Sequence, residues 1–359
     1  MHSTSLRRDQ IHGALIGAAV GDALGFPRKG MARRAALARY GRRPLRFSWL
    51  GGIYTPDTHL MLMSAQALLN SRSDLRNFRR AYRMRLSWYP LSLPIGCGWA
   101  TLGSALKCWL VRLKINTGVN SEDNAPGASI VFCSLAMHGT GHRITKWADE
   151  TVVITRSNVQ ARDAAMVLGA LAEAASLNKP EKFDPNAVLG VLIETSQLDK
   201  TKKKLEELKP FLEQSRCPAA VARHFGWSDG ISSSFSKTVV MAAYCFLRYP
   251  TNYRRAVEAA IRLGGDTSTM GAIVGGLVGA HAGVKAVPGE LIKNLGGLPH
   301  NPDWIKDMAE RMSHWPHGPD DLHMAPALPS DAPVQLIRNL YTALGLLLRR
   351  VLRLFCRCV

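Results

Sequence analysis

Along most of the chain, apolar residues recur every three or four positions, the spacing that gathers them on one face of an α-helix. Residues 11–24 predict a buried helix with a small-residue side, ended by Gly25-Phe26-Pro27. Residues 60–69 are apolar on nearly every side, as in a central core helix. Residues 74–88 are amphipathic and rich in arginine. The same spacing predicts helices over 159–175, 185–194, 201–213, 234–247 and 253–263. Strand-type alternation is scarce, and residues 151–154 are its best short instance. Over 270–283, Gly271, Gly275, Gly279 and Gly283 stand four apart and form one smooth stripe on a helix. Each glycine costs about 1 kcal/mol relative to alanine inside a helix, so a reason is needed, and close helix–helix contact is the simplest. The pattern predicts an all-α fold. Residues 314–333, rich in Pro, His and Asp, read as a linker, and 334–359 as a separate terminal helix.

Composition narrows the class. The 359 residues are 47% apolar, enough for a substantial core. Lys plus Arg number 46 against 27 Asp plus Glu, a net charge of +19. That excess favours anionic partners such as nucleic acid, acidic lipid or a phosphorylated ligand. No zinc-finger, RNA-binding or leucine-zipper spacing accompanies it, so no sequence-specific nucleic-acid motif is present. The seven cysteines are irregularly spaced and odd in number, which fits a reducing compartment better than a disulfide framework. The apolar stretch near the N-terminus contains Asp22 and makes a poor signal peptide. No run of about 18 uncharged apolar residues exists, so no membrane span is expected, and the expected location is cytoplasmic.

Two distant stretches carry candidate chemistry: Tyr54-Thr55-Pro56-Asp57-Thr58 and Gly264-Gly265-Asp266-Thr267-Ser268-Thr269. Each puts Asp and Thr oxygens just ahead of an apolar helical run. Brought together, they supply carboxylate and hydroxyl oxygens for a hard cation. Each motif alone reads equally well as a helix N-cap. With Gly21-Asp22-Ala23-Leu24-Gly25 nearer the N-terminus, the set resembles the ADP-ribosylglycohydrolase family over roughly residues 8–313. The resemblance implies a compact orthogonal helical domain and a site in which two magnesium ions grip the ribose beside a scissile glycosidic bond. It places the metal positions on Thr55, Asp57, Asp266, Ser268 and Thr269. It also implies ADP-ribose or an ADP-ribosylated protein as the partner.

The departures from the family pattern bear on activity. Pro56 and Ser268 stand where the family has carboxylates, and Lys29 stands at the place of a catalytic glutamate. A lysine is no base at neutral pH unless its pKa is strongly lowered. The family's phosphate-cradling loop aligns with Gly127-Ala128-Ser129, without its Met-Arg, and a Thr-His pair appears as Thr155-Arg156. Two readings follow. One is a hydrolase of ADP-ribosyl adducts with a weakened magnesium site. The other is an inactive member binding ADP-ribose or another polyanion through Lys29, Arg156 and a rim formed by the arginine runs at 28–46 and 72–85. A Ser-His nucleophile arrangement is not supported, because no Gly-x-Ser-x-Gly elbow occurs.

The terminal segment has Arg338, Arg349, Arg350, Arg353 and Arg357 and no acid after residue 334. Ile337, Leu340, Leu344, Leu347, Leu348, Val351 and Phe355 fall along one helical stripe. The stripe suits either an apolar groove on a protein or the surface of an anionic membrane.

Overall fold

The computed structural model describes residues 2–110, 116–177, 180–316 and 328–355. In chain order its first helices are α1 (His2–Gly25), α2 (Arg33–Tyr40), α3 (Pro56–Leu69), α4 (Leu75–Trp88), α5 (Trp99–Trp109) and α6 (Gly127–Met137). Next come α7 (Ile144–Val153), α8 (Val159–Leu177), α9 (Pro185–Thr195), α10 (Asp199–Glu206), α11 (Lys209–Glu213) and α12 (Pro218–His224). The chain continues through α13 (Phe235–Arg248), α14 (Tyr253–Ile261), α15 (Thr267–Ala282), α16 (Gly289–Lys293), α17 (Pro302–His314) and α18 (Leu328–Phe355). Among the described residues there is no β-strand, and extended pairing is limited to isolated bridges. The fold is all-α, as the periodicity implied.

The most extensive helix pair is α1 with α15. Both present glycine every fourth residue, and the two stripes face each other. A Cβ on Gly13, Gly17 or Gly21 would collide with the carbonyl oxygen of Gly279, Gly275 or Gly271 respectively. The expected stripe on α15 is therefore half of a two-sided contact. Tyr253 closes its flank by donating its hydroxyl to the Gly17 carbonyl at 2.6 Å. This contact fixes the end of α1, which carries Asp22, against the start of α15, which follows Asp266. Around it α3, α6, α8 and α13 are buried along most of their length.

Two local expectations are corrected. Residues 151–154 are not a strand, since 151–153 end α7. Ile144, Trp147, Ala148, Thr151 and Val152 are its buried side, and Thr151 returns its hydroxyl to the Trp147 carbonyl at 2.8 Å. A β-branched triplet is thus overridden by the helical period of the longer segment. Residues 201–213 form two helices, α10 and α11, because Pro210 lacks the N–H that a continuous helix needs. At the other end, α17 reaches His314 and α18 begins at Leu328, with Pro333 inside it. Residues 317–327 of the expected linker, and Arg357 of the tail, lie outside the described residues.

Candidate functional site: a buried lysine between two aspartates

The site forms where the last turn of α1 meets the first turns of α3 and α15. Asp22, fully buried, aims one carboxylate oxygen at the start of α3. That Oδ2 accepts from the backbone N–H of Thr55 at 2.9 Å and of Thr58 at 3.1 Å, and from the Thr58 hydroxyl at 2.6 Å. Asp22 thereby occupies N–H groups that the start of a helix leaves open. Its other oxygen is buried without a hydrogen-bond partner. Burial pushes the Asp22 carboxyl up to about 7, with the neighbouring Asp57 charge adding to the effect.

Thr55 is the N-cap of α3, its hydroxyl accepting from the Asp57 N–H at 3.4 Å. Pro56 takes the first helical position, where a missing N–H costs nothing. The replacement of a carboxylate by Pro56 is thus well tolerated by the helix. Asp266 holds the N-cap position of α15 but makes no side-chain cap. Its Oδ2 accepts from the Thr269 hydroxyl at 3.0 Å, and its Oδ1 faces Lys29. Burial raises the Asp266 carboxyl, while Lys29 pulls the other way.

Lys29 lies between the two aspartates. Its Nζ is 3.6 Å from Asp57 Oδ2 and 3.6 Å from Asp266 Oδ1. Burial alone would lower the Lys29 ammonium. Asp57, Asp266 and Asp22 outweigh it and hold the group above the ordinary lysine range, so it stays charged. Its backbone is pinned beside Asp266. Gly30 donates to the Gly265 carbonyl at 2.8 Å and Gly265 to the Met31 carbonyl at 2.8 Å. Gly265 has φ +79°, and a Cβ there would strike the Ile231 carbonyl, so this loop demands glycine.

The residues present do not fit a divalent cation. Magnesium or calcium needs a shell of about six oxygens at roughly 2.0–2.6 Å. Here Asp57 Oδ2 already accepts from the Thr55 and Ser268 hydroxyls, at 2.8 and 3.0 Å, and the Thr269 hydroxyl lies 3.0 Å from both it and Asp266 Oδ2. These hydroxyls are engaged with the carboxylates, and the neighbouring positive charge is the Lys29 ammonium. Among the described residues, no group of three or more His, Cys, Asp or Glu side chains is arranged to hold a metal.

Lys29, Asp57, Asp266 and Thr269 line one cleft of about 600 Å³, with Pro56, Thr101, Ser121, Asp123 and Asn124. At its mouth Trp99 is 89% exposed, at the start of α5. The other expected binding residues are placed elsewhere. Arg156 is fully buried and engaged with Asp123 at 2.5 Å, the Thr101 hydroxyl at 2.7 Å and the Thr155 carbonyl at 3.0 Å. It holds the cleft wall together rather than facing a ligand. Gly127, Ala128 and Ser129 are buried in the first turn of α6, where a Cβ on Gly127 would meet Ile273. Of the two basic runs, Lys29 alone is among the cleft-lining residues described here. Arg28 instead stacks on Tyr40, with 4.2 Å to the ring centre, and Arg85 donates to Gln66 at 2.9 Å.

Asp22 and Thr58 fall within the motifs read from the sequence, which gives them no role at the site, and Trp99 is not among the residues that reading picks out. The signal for Asp22 was available, as a lone acid within a Gly/Ala-rich apolar helix. Trp99 carried no such signal, because exposure is a property of the fold.

The sequence matches the ADP-ribosylglycohydrolase family over residues 3–321. The fold is similar to a solved structure described as an "ADP-ribosylglycohydrolase-related protein complex", with a TM-score of 0.60 and 23% identity. That likeness covers 86% of this chain and 99% of the other. No curated protein matches the chain. With the two Asp-Thr motifs converging at the ends of α3 and α15, and the family match spanning most of the chain, the protein belongs to the ADP-ribosylglycohydrolase family.

Proposed function

We propose that this chain is a family member that has given up metal-dependent hydrolysis and keeps its cleft to bind ADP-ribose or an ADP-ribosyl group. The observation that carries the reading is the Lys29 ammonium 3.6 Å from each of Asp57 and Asp266. One internal positive charge stands where the family resemblance puts divalent cations. It neutralises carboxylates without offering a Lewis-acidic centre or a vacant coordination position. Lys29 also cannot serve as the base toward water, because its surroundings favour the charged form. The remaining cleft is within the size range of small-molecule sites. Trp99 offers a flat face on which a purine can stack, an interaction of about 1–3 kcal/mol. Among the described residues lining the cleft, Lys29 supplies the cation for a pyrophosphate.

Calorimetric titration with ADP-ribose, with and without magnesium, tests the reading alongside an assay for release of ADP-ribose from modified protein. The expected result is affinity indifferent to magnesium, weakened about tenfold by Trp99→Ala, and no turnover. Magnesium-dependent affinity, or turnover at ordinary rates of about 1–1000 per second, would restore the hydrolase reading. Absence of any binding would remove ADP-ribose as the ligand.

A further inference from the structure

α18 is an amphipathic helix docked the opposite way to a surface helix of a globular domain. Its polar residues Gln335, Arg338, Asn339 and Thr342 are buried against the body. Arg338 donates to the Tyr54 carbonyl at 2.5 Å and to His59 Nε2 at 3.1 Å, with its guanidinium 4.7 Å from the centre of the Tyr54 ring. Asn339 donates to the Ser92 carbonyl at 2.7 Å. The aliphatic stripe faces solvent. Ile337, Leu340, Tyr341, Leu344, Leu347 and Leu348 are each at least 50% exposed. They follow the three- and four-residue spacing of one helix face.

Neighbouring elements extend the exposed apolar surface. Leu91 and Leu93 lie in and just after the turn Tyr89–Ser92, on which α18 packs, and Trp88 ends the adjoining α4. Basic residues adjoin it on α4 and along the chain. Arg76 and Arg80 are exposed on α4, α18 runs on through Arg349, Arg350 and Arg353, and no acid follows Asp331.

We propose that the outward face of α18 is a docking surface for an anionic lipid bilayer, with the helix lying in the plane of the headgroups. An interfacial helix needs an apolar face of aliphatic bulk and flanking arginines, and it binds by burying the first while the second meet acidic headgroups. Spanning is excluded for the described helices, because none is long and apolar enough to cross a membrane. A second copy is disfavoured by charge. Each chain carries +19, so pairing two copies brings two strongly positive molecules together. An anionic surface meets the same charge with the complementary sign. Because the helix is anchored by Arg338 and Asn339, its apolar face is presented in a fixed orientation and needs no further folding on arrival.

Co-sedimentation of the full chain with vesicles of phosphatidylcholine alone, or with phosphatidylglycerol added, tests this. Sedimentation velocity is run in parallel. Leu344→Glu and Leu347→Glu change outward side chains and spare the docked face. The expected result is binding to the phosphatidylglycerol vesicles only, weakened by salt and reduced about tenfold or more in either variant. Binding that both variants retain would assign the effect to the general basic surface and overturn the proposal. A dimer dissociated by the variants, with no vesicle binding, would assign the face to a second copy. A monomer that ignores both vesicle types would overturn it as well.

Discussion

Removing the Lys29 ammonium leaves Asp57 and Asp266 in one buried site without their counter-charge. Breaking one side of a buried ion pair costs about 3–5 kcal/mol, and the lower end applies here because the Lys29 side chain is 29% exposed. Lys29→Met should therefore lower the unfolding free energy by about 3 kcal/mol, measured in urea. Adding Asp266→Asn should recover part of the loss, since it removes one of the carboxylates left behind. Equal destabilisation by the double variant would show that Lys29 acts through packing alone. Asp22 makes a pH prediction. Its carboxyl is ordinary when unfolded, near 3.8, and raised to about 7 when folded, so the folded state holds a proton that the unfolded state releases. The stability it contributes is complete below about pH 4 and is lost as pH rises through about 7. Asp22→Asn should flatten the decline in unfolding free energy between those values. An unchanged slope would assign the titration elsewhere. At the metal positions, Pro56→Asp, Ser268→Asp and Lys29→Glu together should create magnesium-dependent stabilisation, about 2.7 kcal/mol at magnesium a hundredfold above its Kd. The unaltered chain should show none. A thermal shift with magnesium in the unaltered chain would contradict the role given to Lys29.

At the scale of elements, the α1–α15 contact sets the geometry of the site. The two helices touch through backbone, with Gly21 against Gly271 and Gly17 against Gly275. A side chain at any of these glycines must push the axes apart. Gly21→Ala should therefore cost about 3 kcal/mol, the upper end for overpacking, because backbone rather than a flexible side chain receives the added methyl. The same displacement moves Asp22 away from Thr55 and Thr58, whose hydrogen bonds favour its charged form, so the Asp22 titration should shift further upward while the carboxyl stays buried. Thermal unfolding across pH reads both effects. An unaffected pH profile in a destabilised Gly21→Ala protein would separate packing from the site. The glycine spacing on α15 was legible in the sequence. Its partner stripe on α1 was present there too, as Gly13, Gly17, Gly21 and Gly25, but pairing the two required the fold.

For the whole molecule, α18 joins the terminal segment to the site-bearing helix. Arg338 bonds the carbonyl of Tyr54, the residue before the Thr55 cap, and His59 within α3. His59 lies fully buried, and burial with the nearby Arg338 charge holds its imidazole well below the usual range. It is therefore neutral and able to accept from the guanidinium. Its Nδ1 is 2.9 Å from the Tyr89 hydroxyl, which fixes the donor on that side. Arg338→Ala should leave the Tyr54 carbonyl and His59 without this partner and release α18. The expected readout is protease cleavage within 328–355 at concentrations that spare the unaltered chain, with the body intact. Resistance equal to the unaltered chain would show that α18 is held chiefly by its other contacts.

Taken alone, the sequence determined the all-α class, most of the helices and the family, because these follow from periodicity and short motifs that neighbouring residues carry. It also located the departures at Lys29, Pro56 and Ser268. What those departures do was decided by tertiary structure. Whether Lys29 fills or avoids the space between Asp57 and Asp266 depends on the Gly265 bridge and on the closeness of α1 to α15, neither of which is a local property. Arg156 reads in sequence as a free cation, and the fold commits it to Asp123 and Thr101. The amphipathic pattern of α18 was equally plain, yet which face met the protein was not. Aliphatic residues ordinarily turn inward, and here buried hydrogen bonds from Arg338 and Asn339 turn them out. Burial depends on the sum of contacts from distant segments, and only the folded chain supplies that sum.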